Sequence, residues 1–208
     1  IFFNPENDIG LRRGLARGMG GGPVCNHPGF LSAIYAHWAN HRGDRADADH
    51  PWSVLVRGCT PVWNLDSVIS TLATEPYLSV DEATEQGLHE RATSLAGDTS
   101  CEDAQAVARR AAEAVGRHFD AGRLAWVAAA RAFPSCSSAF SSEIQTTARD
   151  SDSHPVARLR AIEWMVDQGD SSACGQISNA MRYRHTEYNA GPGPIADALA
   201  QGLRGRCR

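Results

Sequence analysis

The sequence contains no lysine: all 20 of its basic residues are arginine. That excludes ubiquitin attachment and every other modification made at a lysine side chain. A GC-rich genome, which favours arginine and alanine codons, accounts for the bias, and a secreted toxin that must persist in a host cytosol would benefit from it. Long apolar runs are also absent. None approaches the roughly 20 residues that a membrane-spanning helix needs. No Cys-x-x-Cys pair suggests zinc, and no internal repeat is visible. The net charge of −4 gives no electrostatic footprint for nucleic acid. The first residue is Ile1 rather than methionine, which fits a processed form or a fragment.

What remains is an ordinary globular balance, 42% hydrophobic and 21% charged, in 208 residues. That length suits one domain with a proper core, or a domain plus an arm. The six cysteines (Cys25, Cys59, Cys101, Cys136, Cys174, Cys207) are even in number and widely scattered. Such a pattern points to disulfides in an oxidising compartment, hence to a secreted protein. It leaves open which of 15 connectivities is used. The alternative is six reduced cysteines packed as small hydrophobes.

Residues 1–24, rich in Gly and Arg, read as an irregular arm. A helix is expected over 28–41, then a charged loop over 42–51. Residues 53–57, within WSVLVRGCTP, read as a buried strand ending on Arg57. Asn64 or Asp66 would cap a short helix through Leu72. Ser79 and Glu82 fit a capping box opening a helix to about Ala96, which Gly97-Asp98 would break. A second long helix is expected from Glu102 to about His118. Residues 123–133 are ambiguous between helix and buried strand, and 135–154 read as a Ser-rich loop around one short helix. Pro155 to Asp167 reads as helix, with Gly169 past its end. Helix is also expected over 172–184 and 195–203, with a rigid Gly/Pro turn over 189–194.

Three local signals bear on chemistry. Arg57 would hold its planar fork at the mouth of an apolar strand, suited to bidentate capture of phosphate or carboxylate, or to a structural ion pair. Thr99 and Ser100 precede a helix, where plain N-capping is the simpler role. Glu187 lies before a Gly/Pro turn, in His185-Thr-Glu187-Tyr-Asn.

In this order, VLVRGCTPVWNLDSVI, DTSCEDAQAV and RYRHTEYNAGPGPI resemble the R–S–E pattern of mono-ADP-ribosyltransferases of the cholera and pertussis toxin class. The resemblance covers about residues 52–197. It implies an α+β fold, two small sheets forming a cleft with helices around them. Residues 51–208 would form the catalytic domain and 1–50 an N-terminal arm and helix. It further implies NAD as substrate, with Arg57 on phosphate or ribose, Thr99 and Ser100 supporting the site, and Glu187 stabilising the oxocarbenium-like ribose. His185 would act as base or orient the acceptor, although the family usually has Glu or Gln there. The partners implied are a host protein acceptor and a delivery subunit.

Other readings stand beside this one. His37 and His41 share a helix face and would need His27, Asp44 or His50 as a third metal ligand; the glutamate of a zinc-protease motif is replaced by Trp38. Cys25 at a helix start resembles an activated thiol, the nucleophile of a hydrolase, with His50, His118 or His154 as base. Arg42-Gly43-Asp44 matches an integrin-binding tripeptide, or is simply a polar loop. Finally, a mainly α, disulfide-stapled, non-enzymatic binding or effector protein accounts for the composition without any catalytic site.

Overall fold

The structure is a computed structural model that describes residues 7–27, 49–78, 80–115, 121–182 and 193–207. Among these residues all regular structure is helical and no strand occurs. The two-sheet α+β cleft is therefore corrected to a mainly α fold. The α-helices are α1 (Ile9–Met19), α2 (Pro51–Cys59), α3 (Leu65–Leu78), α4 (Glu82–Ala96), α5 (Cys101–Val115), α6 (Ala121–Ala132), α7 (Ser141–Arg149), α8 (Pro155–Asp167), α9 (Ile177–Ala180) and α10 (Gly193–Arg206). Short 3₁₀ turns cover Pro23–Asn26, Thr60–Val62, Pro134–Phe140 and Ser171–Gln176.

The segment expected as a strand is α2. Val54, Leu55 and Val56 favour a strand locally, but a nine-residue view carries a helical period: Trp52, Leu55, Val56 and Cys59 are all buried at i, i+3, i+4 and i+7. Pro51 occupies the first turn, and His50 Nδ1 accepts from the Trp52 amide at 3.3 Å. The N-terminal arm is corrected too. Asp8 accepts from the Leu11 amide at 3.0 Å and opens α1, which packs on α2. Their backbones meet at glycines: a Cβ on Gly58 would lie 2.8 Å from Gly20 Cα. The Cys25–Cys59 disulfide closes the same corner, and the buried Trp63 indole donates to Cys25 O at 2.8 Å.

Asn64 caps α3 as expected, accepting from the Ser67 amide at 2.9 Å, but the helix continues past Leu72 to Leu78. The cap of α4 is Asp81, which accepts from the Thr84 amide at 3.1 Å; Ser79 lies outside the described residues. The ambiguous stretch 123–133 falls within α6 and its C-terminal end. Leu124, Val127 and six of its alanines are buried, so α6 is apolar nearly all round. It packs against α3, α5, α7 and α8 and forms the centre of the core. The Ser-rich stretch is the Pro134–Phe140 turn followed by α7. Helix α8 has the expected bounds: His154 Nδ1 accepts from the Val156 amide at 3.3 Å, and Gly169 adopts a φ of 87° just beyond the end.

The cysteines pair in chain order: Cys25–Cys59, Cys101–Cys136 and Cys174–Cys207, at separations of 34, 35 and 33 residues. Cys101–Cys136 joins the start of α5 to the turn after α6, stapling an antiparallel pair. Cys174–Cys207 ties the turn after α8 to the end of α10.

Candidate functional site

Of the residues of the NAD reading, the described ones, Arg57, Thr99 and Ser100, lie at opposite ends of α4. Arg57, in the last turn of α2, places Nη2 3.7 Å from Asp81 Oδ2 at the N-terminal end of α4. Burial alone would raise the Asp81 carboxyl. Hydrogen bonds with Thr84 and Ser53, and the Arg57 charge, outweigh it and hold the pKa below its ordinary value. Thr99 and Ser100 lie beyond the other end of α4, which at 1.5 Å per residue is about 22 Å long. There they work as helix ends. Ser100 Oγ accepts from the Asp103 amide at 3.1 Å and donates to the Asp103 carboxylate at 2.6 Å, while Thr99 donates its hydroxyl to Ala96 O. Glu187 and His185 lie outside the described residues, as do His37, His41, Arg42-Gly43-Asp44 and His118.

The thiol reading is corrected directly, because Cys25 is bonded to Cys59. Of its possible bases, His50 and His154 serve as helix caps. Among the described residues no three His, Cys, Asp or Glu side chains converge as a metal site.

Two charged features were missed in the sequence. Arg158 is 4% exposed and donates to the carbonyls of Ala148, Ala180 and Arg182 at 3.2–3.4 Å, tying the ends of α7 and α9 to α8. Beside α8 lies an ion network. Glu163 Oε2 receives Arg160 at 2.9 Å and Arg131 at 3.0 Å; Glu75 is 3.8 Å from Arg160, and Arg206 pairs with Glu163 and Asp167. Burial would raise the Glu163 carboxyl, but Arg160 and Arg131 outweigh it and hold the pKa down. The charges of Glu163 and Glu75 likewise overcome burial and raise that of Arg160. The adjoining cavity, between α3, α4 and α6, gives water about 20 Å³. One water needs roughly 10–15 Å³ by this measure, so the cavity has room for a single water but not for a substrate.

A larger opening lies where the Pro134–Phe140 turn and α7 meet the C-terminal end of α8. It is an open groove of about 270 Å³ walled by Ser137, Ser138, Gln145, Trp164, Gln168 and Asp170. The Cys101–Cys136 bridge fixes the turn that carries its serines. Ser172 donates its amide at 3.0 Å and its hydroxyl at 2.5 Å to Asp170, and these bonds hold the Asp170 carboxyl below its ordinary pKa. Trp164 is 6% exposed, and its indole N–H has no acceptor. No histidine is among the described residues that line the groove, and its carboxylate, Asp170, is bonded to Ser172 rather than to a groove serine. The arrangement suits hydrogen bonding to a small polar ligand. Serine and glutamine clusters carry no periodic signal, which is why the groove was not foreseen.

No protein-family model, curated protein or solved structure matches the chain.

Proposed function

We propose that the protein is a non-enzymatic, disulfide-stapled helical binding module that acts in an oxidising, extracellular compartment. The observation that carries this reading is the pairing of all six cysteines in three bridges that follow chain order. Such bridges persist outside the cell and are reduced in most cytosols. The remaining geometry supports it. Arg57 has a carboxylate partner, Ser100 has a capping role, and the open groove carries hydrogen-bonding groups without a nucleophile–base pair. Among the described residues no helix is long and apolar enough to cross a membrane.

The competing transferase reading makes a measurable demand: nicotinamide release from NAD, dependent on Glu187. The expected result is no release above background by the wild-type protein or by Glu187→Ala, with host-cell lysate present as a source of acceptor protein. Release by the wild type that Glu187→Ala abolishes would overturn the binding-module reading.

A further inference from the structure

We propose that Cys174–Cys207 is a redox latch: a dithiol reductant opens it before the other two bridges, and α10 then leaves α8 while the rest of the helical body stays folded. The three bridges differ first in access. Cys25 and Cys59 are both fully buried, so no reductant reaches that bridge without unfolding the corner around it. In Cys101–Cys136 one partner, Cys136, is 2% exposed. Cys174 and Cys207 are both half-buried, so neither side of their bridge is closed.

Charge separates them further. The attacking species is a thiolate, and the exchange is faster where the leaving sulfur is stabilised as an anion. The exposed Cys101 stands beside Glu102 and Asp103, with Asp98 three positions before it, and these carboxylates repel an incoming thiolate. Cys207 stands in sequence between Arg206 and Arg208, with Arg204 three positions before it. Arginine neighbours favour a thiolate. Arg206 shares its charge with Asp167 and Glu163, which leaves Arg204 and Arg208 to favour Cys207 as the leaving group.

The bridges also differ in what else holds their helices. Helix α5, which begins at Cys101, packs on both α3 and α6, so it stays in place without its bridge. Helix α10 packs on α8 and less on α9. Its fully buried face is Ala196, Ala200 and Leu203, a small apolar area to order a helix of 14 residues. Its other anchors are the Arg206 pairs with Asp167 and Glu163, close to the bridge itself. Opening the bridge therefore removes the constraint that keeps this end of α10 against α8.

The exchange balances with a dithiol as the reductant. Its thiolate bonds to the Cys174 sulfur, the S–S bond breaks, and Cys207 leaves as a thiolate that takes up a proton. The second thiol of the reductant then displaces Cys174. Two electrons pass to the protein, which gains two thiols, and the reductant becomes a disulfide.

The test exposes the full oxidised chain to graded dithiothreitol, alkylates the freed thiols and locates them by mass spectrometry. Hydrogen exchange reads the protection of α10 and α6, and circular dichroism reads the fold. Cys174 and Cys207 should be labelled about tenfold or more sooner than the other four cysteines. In that partly reduced state, amide protection of α10 should fall about tenfold or more while that of α6 is kept. Cys174→Ser combined with Cys207→Ser should show the same loss without reductant. Arg206→Ala, which keeps the bridge, should keep α10 protected. Opening of all three bridges together, or of Cys101–Cys136 first, would overturn the proposal. So would an α10 that stays protected once its bridge is open, or one that Arg206→Ala alone releases. Each of these results leaves the three bridges, and the binding-module reading that rests on them, in place.

Discussion

The Arg57 guanidinium lies 3.7 Å from Asp81, the residue whose carboxylate also caps α4 through the Thr84 amide. One carboxylate therefore serves the end of α2 and the start of α4. The two roles differ in weight. The Arg57 side chain is 54% exposed, so water screens the pair, and Arg57→Ala should cost under about 0.5 kcal/mol. Asp81→Ala removes the cap as well and should cost about 1–2 kcal/mol. Urea unfolding of both single variants and the double variant checks this; a cost for Arg57→Ala as large as that for Asp81→Ala would show a heavier role for the arginine.

The contact between Gly20 and Gly58 gives a sharper contrast. A Cβ at Gly58 would sit 2.8 Å from backbone that cannot rotate away, so Gly58→Ala should destabilise by about 1–3 kcal/mol. Gly14, in the middle of α1, has nothing within 4 Å of an added Cβ. Gly14→Ala should stabilise by up to about 1 kcal/mol through helix propensity. Thermal melts of the two variants should move in opposite directions.

These two sites also show what was legible in the sequence. Helices with strong punctuation could be read: Asn64 before α3, Gly97 after α4, and Pro155 with Gly169 around α8. Helix α2 was misread because five residues are too few to separate a 3.6 from a 2.0 period, and Val54 and Val56 tilt the reading toward strand. Helix α1 was misread because Gly10, Gly14 and Gly18 argue against a helix. The α1–α2 packing, fixed by Cys25–Cys59, overrides that local preference. The serine and glutamine groove comes together only in three dimensions, from a turn and two helices, and no spacing announces it. Arg57 was visible, but its partner Asp81 lies 24 positions away.

The Glu163 network predicts a pH dependence. Its folded pKa lies below the ordinary 4.5, so its stabilisation is fully present above about pH 4.5 and is lost as pH falls through the lower folded value. Glu163→Gln leaves Arg131 and Arg160 facing a neutral group. It should cost roughly 2–3 kcal/mol at pH 7, less than the ~3–5 of a fully buried pair because the side chain is 18% exposed. Denaturant melts from pH 7 to pH 3 should show the gap between wild type and variant closing on the acid side. A constant gap would mean that packing, not charge, sets the cost.

His154 caps α8 by accepting the Val156 amide on Nδ1, which requires that nitrogen to be unprotonated. His154→Ala should cost about 1 kcal/mol, and His154→Asp, with a better capping group, should recover most of it. Equal melting temperatures for the two variants would count against a capping role.

The bridge pattern carries the whole account, because it pins the helices and is the ground on which an oxidising compartment is proposed. Six cysteines allow 15 pairings, so a match is unlikely to arise by chance. The decisive measurement is mass spectrometry of the unreduced protein digested after arginine. The account predicts Cys25–Cys59, Cys101–Cys136 and Cys174–Cys207 and no other linkage. A crossed pairing, or six free thiols in protein secreted through an oxidising pathway, would contradict it.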